Sequence, residues 1–254
     1  MSCIDPDLRY LQHTPAGAEY VSQINAQEAD RRTRAAFRDL VLSIAQPTAR
    51  LFDFGAGPGI DARFFAERGF AIDAYDVDPR MREFFAAHCR DLIESGRVHL
   101  RRGSYRDFLT RATTDSELRA DLVISNFAPL NLVDDLHELF ETFNVLTRPE
   151  GKVLANVLNP LFVGDMRSRL WWRGARRLWN DGELFLPGPQ APHYKRLLAR
   201  FRTTSAPRFR LTGVFGEQQP SAGQHWESLN PRLAWLHLAR SRYMFLLFEK
   251  TGRP

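Results

Sequence analysis

"LFDFGAGPGIDARFFAERGFAIDAYDVDP", Leu51–Pro79, decides the fold. An apolar run over 49–54 leads into three glycines, Gly55, Gly57 and Gly59. A helical stretch over 59–68 stops at Gly69, and a second apolar run covers 70–76. Asp78-Pro79 then opens another helix as N-cap and first residue. Two strands separated by a helix make a right-handed crossover between parallel partners. In such sheets ligands bind beyond the carboxyl ends of the strands, where the strand order reverses. The glycine loop lies at such an end. Residues without Cβ let the backbone turn sharply and approach a ligand closely, and the following helix offers unpaired N–H groups to an anion. Asp76 ends the second strand, where a carboxylate can accept both hydroxyls of a ribose.

The same alternation extends outward. Upstream, Asn25 and Glu28 have capping-box spacing. Ala29, Thr33, Ala36, Phe37, Leu40, Val41 and Ile44 form one helical stripe, so a helix is predicted over 25–46, ended by Pro47. Downstream, Met81, Phe84, Phe85, His88 and Leu92 line the buried side of a helix that Gly96 stops. Strands are predicted at 97–102, 120–127 and 152–158, with a helix at 132–146. After Pro160 the pattern changes. Residues 161–190 read as an insertion rich in Arg, Trp, Gly and Pro. A helix at 193–202, a strand at 208–215, a helix near 231–239 and a last strand at 242–249 follow.

Bulk properties narrow the class. The chain has 254 residues, 44% hydrophobic and 26% charged, enough for one sizeable soluble domain. Its two cysteines, Cys3 and Cys89, have neither metal-ligand spacing nor a disulfide pattern. This fits a reducing cytosol, and a cytoplasmic location is expected. "MSCIDPDLRY" shows no signal peptide, and no apolar run is long enough to span a membrane. Formal net charge is +5, unevenly spread: residues 160–210 hold eleven Lys or Arg against three acids, or +8. A basic surface attracts nucleic acid, anionic membrane or anionic substrate.

The loop suits a nucleoside with a small charged tail, which leaves a dinucleotide or S-adenosylmethionine. The dinucleotide fingerprint G-x-G-x-x-G requires glycine at 60, and that residue is Ile60. The motif is instead acid-x-Gly-x-Gly-x-Gly, with Asp53 as the acid. This resembles motif I of the class I S-adenosylmethionine-dependent methyltransferases. "AYDVDP" is similar to that family's second-strand end, "RGSYRDF" stands at its Gly-Asp-x position, "DLVISNFAPLNLVDDL" at its fourth-strand motif and "LTRPEGKVLANVLN" at the turn and strand after it. The resemblance covers roughly residues 20–160. It implies an α/β, Rossmann-like doubly wound fold: a mostly parallel seven-stranded sheet, helices on both faces and an α-helical cover. The expected organisation is an N-terminal helical cap (1–48), a cofactor-binding core (49–160), an insertion or lid with a helix (161–206) and closing strands (207–254). It also implies S-adenosylmethionine as cofactor, no metal, and a cofactor site of Tyr20, Asp53, Gly55, Ala56, Gly57, Gly59, Asp76, Val77, Met81, Ser104, Tyr105, Asn126 and Phe127. Asp76 would take the ribose and Met81 the adenine. Ser104 replaces the acid that the family often uses on the adenine amino group.

Methyl transfer is an in-line displacement on a carbon the cofactor has already activated. The protein must position the acceptor, exclude water and remove any acceptor proton. The catalytic residue is not named by the sequence; His13, His193 and His225 are the candidates, being histidines in segments outside the core. His88 and His137 read as structural. Family members that methylate planar nitrogens carry Asn/Asp-Pro-Pro-aromatic after the fourth strand. Asn126-Phe127-Ala128-Pro129 lacks that signature and looks more like the small-molecule, quinone and natural-product branch. The expected acceptor is a small aromatic or apolar metabolite, methylated at O, then N, then C. In "MRSRLWWRGARRLWN", 166–180, Trp171, Ala175, Leu178 and Trp179 share one helical face, with Arg169, Arg173, Arg176 and Arg177 opposite. This segment is a cover helix, a wall for an apolar acceptor, a face resting on a membrane, or a nucleic-acid contact. Nucleic acid is not the expected partner, and oligomeric state is not readable. Rival functions are an RNA methyltransferase and a non-catalytic cofactor-binding protein.

Overall fold

A computed structural model describes residues 27–112, 119–186, 193–218, 225–230 and 238–252, with 22 and 236. Its sheet follows from the alternation of apolar runs and amphipathic stretches. Strands β1 (Arg50–Phe54), β2 (Ala71–Tyr75), β3 (Val98–Arg101), β4 (Ala120–Ser125) and β5 (Thr147–Leu158) run parallel, and β8 (Phe209–Phe215) and β9 (Tyr243–Lys250) complete the sheet in the order β3-β2-β1-β4-β5-β9-β8. Only β9 runs against its neighbours, pairing antiparallel with both β5 and β8. The order reverses between β1 and β4, so their carboxyl ends splay apart and leave a crevice. The architecture is the doubly wound, mostly parallel seven-stranded sheet that the motifs imply.

Both faces are covered because strand side chains alternate. Phe52, Phe54 and Val123 point to one side, where α5 (Tyr105–Ala112), α6 (Leu136–Leu146) and α9 (Leu198–Ser205) supply Phe108, Phe140, Phe143 and Phe201. Leu51, Ile72, Leu122 and Ile124 point to the other. There α1 (Glu28–Ile44), α2 (Ile60–Ala66) and α3 (Pro79–His88) supply Phe37, Leu40, Phe65 and Phe85. The stripe on α1 packs as its period requires, with Thr33, Ala36, Phe37, Leu40 and Val41 buried and Phe37 meeting Phe245 edge-on at 5.7 Å.

Several boundaries differ from expectation. The N-cap of α1 is Gln27 and makes no side-chain cap bond; Asn25 lies outside the described residues. The predicted helix after Pro79 breaks at Cys89, and a short α4 (Arg90–Glu94) follows. The helix expected from 132 starts at Leu136, where the Asp135 side chain accepts from the Glu138 N–H at 3.0 Å. Ahead of it, Pro129–Asn131 form a 3-10 turn.

The larger difference is in the insertion. After a one-turn α7 (Val163–Met166), the helix α8 (Arg169–Asp181) leads into a hairpin of β6 (Glu183–Leu186) and β7 (His193–Arg196). The stretch expected to be helical from 193 therefore begins as a strand and turns helical only at Leu198. Four residues carry too little periodicity to separate the two states, and the partner strand supplies the missing bonds. The expected helix near 231–239 falls largely outside the described residues. Trp171, Ala175, Leu178 and Leu184 make a small core of their own. Trp179, expected on that face, points to solvent, and Gly174 takes its place: a Cβ there would lie 2.0 Å from Leu184 Cδ1.

Candidate active site

The glycine loop leaves β1 and doubles back toward α2. Gly55, Gly57 and Gly59 all have positive φ. At Gly55 a Cβ would lie 2.4 Å from Pro129, and at Gly59, the N-cap of α2, 2.7 Å from Phe85. These are backbone and packing requirements that only glycine meets without strain. Across the crevice, Phe127 and Ala128 also have positive φ. Such non-glycine residues are uncommon and cluster at ligand sites.

A cavity of about 300 Å³ opens between the two ends, lined by Gly55, Gly57, Asp76, Val77, Met81, Tyr105, Asn126 and Phe127 of the expected set, together with Leu132. A small cleft of about 20 Å³ continues beside it, lined by Arg34, Asp53, Ala56, Asp61 and Phe127 among others. Gly59, the last glycine of the loop, is absent from both linings. Ser104 lines neither space. Its hydroxyl and N–H are each 2.9 Å from the Asp107 carboxylate in the first turn of α5. A larger concavity of about 730 Å³, at Arg202, Arg210 and Lys250, belongs to the opposite edge of the sheet, away from the loop. Of the candidate bases, His193 starts β7 and His225 is exposed, and neither lines the cavity. Tyr20 and His13 lie outside the described residues.

Electrostatics single out three buried carboxylates. Asp76 accepts from the Gly57 N–H at 2.7 Å and the Asp78 N–H at 2.8 Å. Burial outweighs both bonds and raises its pKa to about 6. Each oxygen keeps a lone pair for a further donor. Asp53, at the end of β1, is pushed well above the carboxylate range by burial and by the neighbouring Asp61 and Asp76. Asp61 is buried as well, yet its pKa is lowered, because Arg34 and Arg38 outweigh the desolvation. Both guanidiniums reach it at 2.6 Å from α1. Asn126 donates to Asp61 at 2.9 Å and accepts from Asn156 at 2.8 Å, which fixes the end of β4 to α2 and β5.

Besides Asn156 Oδ1, which lies outside the small cleft, two atoms of this array have no partner among the described residues: Asp53 Oδ2 and Arg34 Nε. Each is a buried polar atom that folding alone leaves unsatisfied, which is costly. One is an acceptor and the other a cationic donor, and both residues line the small cleft. That is the complement of an ammonium and a carboxylate on one carbon, the amino-acid end of S-adenosylmethionine. Asp76 and the apolar Val77 and Met81 suit its nucleoside end. The residues therefore fit the cofactor. Arg34 and Asp61 were not singled out in the sequence. The spacing of Arg34 and Arg38 on the polar side of α1 was visible, but their target was not.

Comparison with known proteins agrees with the geometry. A family model described as a methyltransferase domain matches residues 26–252, and the chain belongs to that family. It is a class I S-adenosylmethionine-dependent methyltransferase. No curated protein matches its sequence. Among solved structures, it is similar to the 1,6-didemethyltoxoflavin-N1-methyltransferase of Burkholderia thailandensis (17% identity, TM-score 0.59, covering 99% of this chain and 92% of that one). It is similar also to the geranyl diphosphate C-methyltransferase of Streptomyces coelicolor A3(2) (13%, 0.59, 99% and 100%). An S-adenosylmethionine-dependent methyltransferase of Mesorhizobium loti matches at 15% and 0.54, covering 89% and 99%. At these identities the likeness is one of fold.

Proposed function

We propose that the protein transfers the methyl group of S-adenosylmethionine to an oxygen of a flat, apolar small molecule seated against Phe127 and Tyr243. One observation carries the reading. The Phe127 ring lines both the cavity and its side cleft. Tyr243, at the start of β9, meets it edge-on at 5.9 Å, and the Arg34 guanidinium lies 4.6 Å from its centroid. This aromatic corner lies beside the end of β5, where Tyr243 pairs with Leu158. The small-molecule class is supported by the compounds named for the two structural neighbours above, a heterocycle and a prenyl diphosphate.

The cofactor supplies an activated methyl group on sulfonium sulfur. Asp53 and Arg34 would hold its amino-acid end and Asp76 its ribose. Proton removal falls to the carboxylates around Tyr243. Asp30 stands one turn before Arg34 on α1, and burial raises its pKa against the pull of Arg242 and Arg34. Glu217, raised likewise by burial, accepts from the Tyr243 N–H at 2.6 Å and holds the aromatic corner in place. Asp30 is the proton acceptor in this reading and Glu217 the positioning residue. Neither has a sequence motif, which is why the histidines stood out instead.

The test is transfer of labelled methyl to a panel of phenols and hydroquinones, aromatic amines, and RNA. Methylation of the hydroxylated aromatics is expected. Asp30→Asn should lower kcat by about 10²-fold or more, the scale of general-base catalysis, with cofactor affinity unchanged. Methylation confined to amines or RNA would overturn the acceptor class, and an unchanged kcat would remove Asp30 from the chemistry.

A further inference from the structure

The outward face of α8 is not used by the fold or by the cofactor site. Trp171, Gly174, Ala175 and Leu178 turn inward onto β6. The outward face carries Trp172 and Trp179, 64% and 62% exposed, with Leu170 46% exposed. At about 100° per residue, the two tryptophans, seven apart, lie within roughly 20° of each other. Arg176, Arg169, Arg173 and Arg177 fill the next arc of roughly 100°, and Leu170 closes its far side. All four arginines are exposed, and among the described residues none has an ion-pair partner. Of the nearby acids, Asp165 pairs with Lys195 and Glu183 with Arg196 and Arg200, while Asp181, at the end of the same helix, is exposed and makes no ion pair with these arginines among the described residues. Five of the seven large apolar side chains exposed among the described residues fall between Val163 and Phe185.

A solvated helix face has no physical reason to combine uncompensated guanidiniums with exposed indoles. We propose that the outward face of α8 is a docking surface for an anionic lipid bilayer. The chemistry matches the headgroup region: tryptophan rings settle at the membrane–water boundary, and each basic residue near an anionic surface gains attraction from its potential. Trp172 is already oriented for this, since its Nε1 donates to the Met166 carbonyl at 2.7 Å and leaves the rest of the ring outward. No described helix is long and apolar enough to cross a membrane, so the contact is peripheral. RNA is the weaker match. The arginines sit on the convex side of a helix, none lines the cofactor cavity, and Leu170 and Val163 offer nothing to a base.

The experiment uses the intact protein and does not depend on knowing the acceptor. It is sedimented with vesicles of phosphatidylcholine alone or with about 30% phosphatidylglycerol, at low and high salt, while tryptophan emission is recorded. Binding to the anionic vesicles should exceed binding to the neutral ones at least tenfold, shift the emission to shorter wavelength and weaken with salt. Trp172→Ser/Trp179→Ser and Arg173→Glu/Arg176→Glu/Arg177→Glu should each reduce it tenfold or more, with circular dichroism and cofactor titration as controls for folding. Equal or absent binding to both vesicles would overturn the proposal. So would tighter binding to an RNA oligonucleotide than to anionic vesicles, or self-association through these side chains without lipid binding.

Discussion

Asp76 shows how one side chain joins structure to binding. It closes the glycine loop through the Gly57 N–H and the next helix through the Asp78 N–H, and each oxygen keeps a lone pair for a further donor. Asp76→Ala should weaken cofactor binding by about 1.5–3 kcal/mol, the range for hydrogen bonds to a charged group. Calorimetry checks this, and affinity within twofold of wild type in a folded variant would remove the ribose role. A pH dependence follows. The free carboxyl titrates near 6, and ribose hydroxyls favour its ionised form. Binding below that pH therefore releases a proton, and affinity falls as pH drops from about 6.5 to 5, by at most tenfold per unit. In Asp76→Asn that slope should vanish, and persistence of the slope would assign it to another group. By contrast, burial takes the Cys89 thiol up to about 12, and its Sγ lies against the Gly59 carbonyl, so it is packing rather than chemistry.

At the scale of elements, α1 is held by more than its apolar stripe. Arg34 and Arg38 both bind Asp61 in the first turn of α2, with 11%, 18% and 7% side-chain exposure. Removing one partner from a buried pair leaves uncompensated charge and typically costs about 3–5 kcal/mol. Asp61→Asn should therefore lower unfolding stability by that amount in a urea titration, and a loss under 1 kcal/mol, roughly the scale of exposed pairs, would show the network to be solvated. The substitution should also free Arg34 from its place over Phe127. The small cleft beside the glycine loop and the contact between α1 and α2 thus share Arg34 and Asp61.

For the whole molecule, the insertion is a satellite with its own small core, tied to the crevice by polar bonds. Arg196 is fully buried; its guanidinium donates to the carbonyls of Leu130 at 2.9 Å and Val133 at 2.6 Å, and Asn131 donates to the Tyr194 carbonyl at 2.6 Å. The hairpin therefore supports the turn that lines the cavity. Trp171→Ala removes the largest side chain of the satellite core, a change that costs about 3–5 kcal/mol in a well-packed site. Hydrogen exchange should accelerate over 163–186 and leave β1, β2 and β4 protected, since those strands belong to other cores. Global unfolding of the sheet at the same denaturant concentration as the insertion would show that the two are one cooperative unit.

The local chemistry of this chain determined its sheet and most of the crevice beside its glycine loop. Asp53, Gly55, Gly57 and Gly59 fall in one short stretch and Asp76 follows the very next strand, so their spacing alone carried the message. The stripe of α1 and the alternation of β1 to β5 were legible for the same reason, since period reports burial. Tertiary structure decided everything that joins distant segments. It brought Arg34 and Asp61 together over twenty-seven residues, and it turned His193–Arg196 into a strand by supplying a partner. It placed Asp30, Glu217 and Tyr243 at one corner, and it turned Trp179 outward while Gly174 took the packed position. Side-chain charge pairs and hairpin partners have no period. Their energies depend on a dielectric and a geometry that exist only once the chain has folded.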